Sequence, residues 1–316
     1  MNALKQYIDL FEDNRAAIDA GSPAVLNTHR DAALNALRQA QLPRKGSEDY
    51  EATSLEDVLA PDYGVNVRRI AFSGDTTESF RCDVPNMSTC LYTCFNDTIV
   101  AGPNAVRNAG GVIVETFKEA AVNHPEVLAH YGSMAQLDDP TVALNTMLAQ
   151  DGLLVWVPRG VIAERPIQLV NIFNAKQPLM AVRRVLVVVD DGAQARMLVC
   201  DHSQSKEVSY LASKVVEIVV GRDATFDYYD LEESSPRTHR LSTIYARQAQ
   251  GSNLLIDGIT LTNGLTRNNY RISVDGEHAL TTLLGMTIAG DQQHVDTHSL
   301  ISHNAGHCKS NEMFKY

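Results

Sequence analysis

Small residues punctuate the second half of this chain at a nearly constant period. When turns at Gly192-Ala193, Asp223-Ala224, Ser252-Asn253, His278-Ala279 and Ala305-Gly306 are aligned, their second residues fall 31, 29, 26 and 27 positions apart. Each interval holds short runs rich in β-branched residues, such as 215–220 then 225–229, and 241–246 then 254–262. A repeat of this size with strands in every unit predicts a solenoid of stacked rungs. One rung cannot bury its own apolar face, so stacking is obligatory. A β-sandwich also has short strands and frequent turns, but it requires no repeat. The polar, proline-containing stretch at 231–238 reads as an insertion that leaves the stack.

The chain before the repeat has a different character. Leu4, Tyr7, Ile8 and Phe11 share one helical face, which predicts a helix over 2–20 that stops at Gly21. Ser22-Pro23 reads as an N-cap and first-turn proline for a second helix with Leu26, Ala33, Leu34 and Leu37 on its apolar face. Arg44-Lys45 lies in a Pro- and Gly-bearing loop and reads as a solvated pair. Residues 65–100 look strand-like, through Val67, Ile70, Phe72 and then 91–100. A helix is expected over 115–128, and another over 142–149 capped by Asp139-Pro140. The expected division is a helical region at 1–60, a mixed α/β region at 61–151 and a β-helix at 152–316. The fold class is mainly β with an N-terminal α region.

Charge and cysteine usage narrow the function. The net charge of −11 and pI near 5.3 disfavour nucleic acid and anionic membranes as partners. The first residues carry acids where a secretory signal has a basic region, and no run is long enough to span a membrane. Five scattered cysteines (Cys82, Cys90, Cys94, Cys200, Cys308) are no disulfide framework, so a reduced, cytoplasmic protein is expected. Cys90 and Cys94 have metal-like spacing with no second ligand pair close behind, and read as buried thiols. Hexapeptide acyltransferase repeats, GxxxxGK[ST], GxGxxG and GxSxG are absent from the sequence.

Residues 290–316 are the richest in chemistry. Alternation puts His294, Asp296 and His298 on one face of a strand and Val295, Thr297, Ser299 and Ile301 on the other. Two imidazoles flanking a carboxylate suit a transition metal, and suit equally a hydrogen-bonded ladder in which the acid orients an imidazole. His303, His307 and Cys308 lie at or beyond the strand end; a thiolate there could hold iron or a persulfide sulfur, or be a structural Cys. The candidate metal ligands are His294, His298 and Cys308.

The same stretch carries a family resemblance. The strings 293–298 (QHVDTH) and 303–310 (HNAGHCKS) resemble the SufB/SufD family of iron–sulfur cluster assembly proteins, SufD more than SufB. Val142-Ala143-Leu144-Asn145, Gln150-Asp151-Gly152, 157–161 and Pro166-Ile167-Gln168-Leu169 resemble the family's entry into its β-helix. Leu42-Pro43-Arg44-Lys45 is similar to an N-terminal motif, with Tyr50-Glu51 where an aromatic-Lys pair usually follows.

This resemblance implies a right-handed parallel β-helix and a non-enzymatic scaffold. It implies pairing with SufB through the β-helices and work with the SufC ATPase. It implies an iron–sulfur cluster at the level of the complex, with none bound by this chain alone. On this resemblance the chain is expected to be incomplete at its C-terminus. It stops before further rungs, a Cys-x-His segment and the SufC-docking helices, and 290–316 is expected to be aggregation-prone or poorly ordered. The alternatives are a metal-dependent enzyme built on His294, Asp296, His298 and Cys308, and a β-helix that only sequesters metal.

Overall fold

A computed structural model describes residues 3–69, 88–100 and 109–316. Helices α1 (Ala3–Ala20), α2 (Ala24–Gln39) and α3 (Leu55–Leu59) are followed by β1 (Gly64–Val65), β2 (Cys90–Phe95), β3 (Thr98–Val100) and β4 (Ile113–Thr116). Helices α4 (Phe117–Asn123), α5 (Pro125–Leu128) and α6 (Pro140–Leu148) lead into the repeat. The repeat holds β5 (Leu153–Val157), β6 (Ile167–Phe173), β7 (Leu179–Val189), β8 (Gln194–Ser203), β9 (Tyr210–Val220) and β10 (Thr225–Glu233). It continues through β11 (Thr238–Gln248), β12 (Asn253–Thr262), β13 (Leu265–Val274), β14 (Leu280–Thr287), β15 (His294–His303) and β16 (Lys309–Lys315). Ile70, Phe72 and Cys82 lie outside the described residues.

From β5 onward every strand pairs in parallel with the strand two places along. One sheet runs β5-β7-β9-β11-β13-β15 and the other β6-β8-β10-β12-β14-β16. The repeat is therefore a parallel β-helix of six turns, each giving one strand to each sheet. Its early end is finished by the mixed region. β4 adds to β5 antiparallel, while β2 adds to β6 in parallel and carries β3 antiparallel on its far side.

The core between the sheets is built from columns. In the odd-numbered sheet Val185, Val216, Ile244 and Tyr270 stack in register, as do Val187, Ile218, Ala246 and Ile272. All are buried. Each Val or Ile side chain so buried contributes roughly 1.5–3 kcal/mol against the cost of ordering its rung.

The turn repeat is real but its register differs from the expected one. The column of small inward residues is Ala193, Ala224, Ser252, Ala279 and Cys308, spaced 31, 28, 27 and 29 residues apart. Each follows a residue in the left-handed region: Gly192, Asp223, Gly251, His278 and His307 have φ between +54° and +67°. The backbone locks the column, with Thr225 N, Asn253 N, Leu280 N and Lys309 N donating to the carbonyls of Ala193, Ala224, Ser252 and Ala279. The third turn is thus centred on Gly251-Ser252 rather than Ser252-Asn253, and the last on His307-Cys308 rather than Ala305-Gly306.

Other expectations are corrected. The stretch 231–238 is no insertion: β10 runs to Glu233 and only four residues turn the corner into β11, with Ser234 and Ser235 buried. The segment 115–128 is not one helix. Glu115 pairs with Leu154 in a strand, Thr116 and Glu119 form a capping box, and Pro125 starts a separate helix because it can donate no backbone N–H. Pro23, not Ser22, occupies the N-cap of α2; Ser22 donates to Ile18 O and accepts from Arg30. Within 290–316, expected to be aggregation-prone or poorly ordered, residues 294–303 and 309–315 form strands in unbroken parallel register with β13 and β14. The α1, α2 and α6 assignments hold, as does Asp139 as a cap, its carboxylate accepting from Thr141 N.

The helical region covers the outer face of the odd-numbered sheet. Leu4, Tyr7, Phe11, Leu34 and Leu144 share one apolar cluster with Met180, Val182, Leu211 and Leu241 of β7, β9 and β11. An ion pair secures this layer. Glu217 takes Arg184 at 3.0 Å and accepts from the backbone N–H groups of Gly132, Met134 and Ala135.

Candidate functional site

The outward row of β15 meets the loop between α2 and α3. His294, Asp296 and His298 do share one face, because Ser299 and Ile301 pair with the inward Tyr270 and Ile272. The buried hydroxyl of Thr53 lies 3.0 Å from His294 Nε2 and donates to Asp296 Oδ2. Arg267, the register partner of Asp296, reaches the same oxygen at 2.7 Å. Its guanidinium also lies 4.4 Å from the centroid of the Tyr50 ring and donates to Asn269. Burial pushes the Tyr50 phenol up, so it stays a neutral platform for that cation. His298 Nε2 stands 3.0 Å from Asp49 Oδ1. Each member of the row therefore has its own partner from the N-terminal loop or β13, and Thr53 links the acid to one imidazole.

Cys308 is elsewhere. It extends the inward small-residue column, and its thiol donates to Gly276 O at 3.1 Å. His307 stacks on His278 of the preceding turn, ring centroids 5.2 Å apart and planes within 16°. His303 lies 3.1 Å from Ser310. The structure brings His294 and His298 onto one face and sets Cys308 at the turn. Among the described residues no three His, Cys, Asp or Glu side chains are grouped to hold a metal ion. Cys90 and Cys94 are buried in the core, where burial pushes the Cys94 thiol up to about 12.

Sequence reasoning passed over a second constellation, inside the β-helix. Arg183, Lys214 and Arg240 point inward from the odd-numbered sheet, facing Asp201, Asp230 and Glu232 from the other. All six are buried. Asp201 is the hub. Its Oδ1 accepts from Arg183 at 3.0 Å and Asn171 at 2.8 Å, and its Oδ2 from Arg240 at 3.0 Å and Lys214 at 3.3 Å. Lys214 continues to Asp230 at 2.6 Å, and Arg240 to Glu232 at 3.3 Å. Burial opposes the charge on Asp201, yet Lys214, Arg183 and Arg240 more than offset it and hold the carboxyl well below the usual range. Glu232 has fewer cations, so burial wins and pushes its carboxyl up. The signal was present: charged residues at inward parity, Arg183 and Lys214 within apolar strands, require buried partners.

Comparisons with known proteins agree with this architecture. Residues 1–169 match the SufBD protein N-terminal region, and residues 171–316 match the SufBD core domain of SUF-system FeS cluster assembly. An iron–sulfur cluster assembly SufBD family protein of Synechocystis is 24% identical over 311 residues, spanning 95% of this chain and 68% of that protein. One of Mycobacterium leprae is 28% identical over 162 residues, 51% of this chain and 18% of its own length. One of Staphylococcus saprophyticus is 25% identical over 203 residues, 63% of this chain and 43% of its own length. With a helical region laid on a parallel β-helix, and with both halves matched in order, the chain belongs to the SufBD family of iron–sulfur cluster assembly proteins.

Proposed function

We propose that this chain is a non-enzymatic scaffold subunit of SUF-type iron–sulfur cluster assembly, closer in role to SufD than to SufB. It pairs with a SufB-like paralogue through the β-helix and works with a SufC-type ATPase. The cluster is cargo of that complex, assembled between subunits, rather than a cofactor resident in this chain. The observation supporting this reading is the match of the core-domain model to the rungs of the β-helix from β7 to β16. A β-helix stiffened by an interior ion network suits a part that holds a shape while its partners move. In this reading His294, Asp296 and His298 brace the N-terminal loop against β15. The test is an in-frame deletion in the source organism, with cluster occupancy of its iron–sulfur proteins measured under iron limitation. Occupancy should fall and return with a plasmid copy. Undiminished occupancy, with the paralogues also depleted, would remove the proposal.

A further inference from the structure

Next to the His294–Asp296 row, the outer face of the odd-numbered sheet carries a cleft of about 480 Å³ where residues 133–136 overhang β11, β13 and β15. Arg247, Arg271, Ser133, Gln136, Ser302 and Leu300 are among its walls. No carboxylate lines it, although the chain carries a net charge of −11.

Arg271 is the central feature. It is half-buried, forms no ion pair among the described residues, and its Nε has no hydrogen-bond partner. Asp138 and Asp139 line the adjacent cleft of about 470 Å³, which Arg271 also borders, and neither forms an ion pair with it. Arg247 stands 3.5 Å from Asp275, a partly exposed carboxylate that already accepts from the lining residues Ser273 and Asn304. The side chains of Ser133, Gln136 and Ser302 make no hydrogen bonds to the described residues. The cleft thus presents an uncompensated guanidinium, a second one at its edge, and unused donors on three polar side chains. Beside them lies the exposed apolar side chain of Leu300.

A half-buried cation without a counter-ion is costly, and an anion that fits removes that cost. A guanidinium offers paired N–H groups whose spacing matches two oxygens of a phosphate. We propose that this cleft binds a small phosphate monoester. Arg271 is the principal anchor, Arg247 a second contact, Ser133 and Ser302 hydroxyl donors, and the exposed Leu300 side chain takes the organic part.

The experiment is calorimetric titration of the full chain with phenyl phosphate, with phenol as the control. Saturable binding of phenyl phosphate and none of phenol is expected. Arg271→Gln should weaken it about tenfold or more, and Arg271→Lys should restore part of the loss by supplying charge without the fork. The exposed Arg247→Gln should weaken it several-fold, and it decides the matter if Arg271→Gln fails to fold. No saturation with wild type, equal binding of phenol, or unchanged affinity in folded Arg271→Gln or in Arg247→Gln overturns the proposal.

Discussion

Asp201→Asn tests the interior network at its hub. The substitution keeps shape and volume but removes the one carboxylate that faces three cations. The network holds three cations against three carboxylates, so the variant leaves one uncompensated positive charge in the core. Arg183 suffers most, since Asp201 is its one ion-pair partner among the described residues and its Nη2 already has no hydrogen-bond partner. Breaking a buried pair by removing one partner costs about 3–5 kcal/mol. For a chain of 316 residues that lowers Tm by roughly 4–8 °C.

The pH dependence carries a defined sign. Asp201 has a folded pKa below its unfolded value, so its contribution is present above the ordinary carboxylate range and is lost as pH falls toward the folded pKa. The gap between wild type and Asp201→Asn should therefore be widest near neutral pH and close progressively below about pH 4. Urea unfolding across pH 3–7, with outward-facing Asp227→Asn as control, reads both quantities. A variant within about 1 kcal/mol of wild type at neutral pH, or a gap that widens in acid, would refute the reasoning.

Three further perturbations follow from the packing. Glu217→Gln removes the charge that holds Arg184 and the amides of Gly132, Met134 and Ala135. It should cost about 3 kcal/mol and raise hydrogen exchange first in residues 132–135. Thr53→Val should cost about 1–2 kcal/mol by leaving His294 and Asp296 without their shared hydroxyl, read as a lower urea midpoint. Gly276→Ala places a Cβ 1.9 Å from Gln250 N and 2.3 Å from the Ala249 carbonyl carbon, backbone that cannot step aside. Soluble yield should collapse, and a stable, well-expressed variant would contradict that packing.

The β-helix was legible because each turn needs a tight corner, and corners select small residues. The register slipped at the end because the left-handed position tolerates Asp223, His278 and His307 as well as glycine. Alignment on small residues alone therefore drifted to Ala305-Gly306. The face shared by His294, Asp296 and His298 was legible from alternation alone. Their partners were not, because Asp49 and Thr53 lie more than 240 residues away in the chain. The interior ions were missed because a charged residue in a strand is read as solvent-facing, whereas Arg183, Asp201, Lys214 and Asp230 sit at inward parity and satisfy one another. At 115–128 helical periodicity outweighed a single proline, although Pro125 decides where the helix breaks.

The most direct measurement is native mass spectrometry of this chain mixed with the SufB-like paralogue of its own organism, each first shown to be folded. A one-to-one heterodimer, persisting when the chain carries Arg271→Gln, is the predicted result. Only separate species at micromolar concentration would contradict the scaffold account.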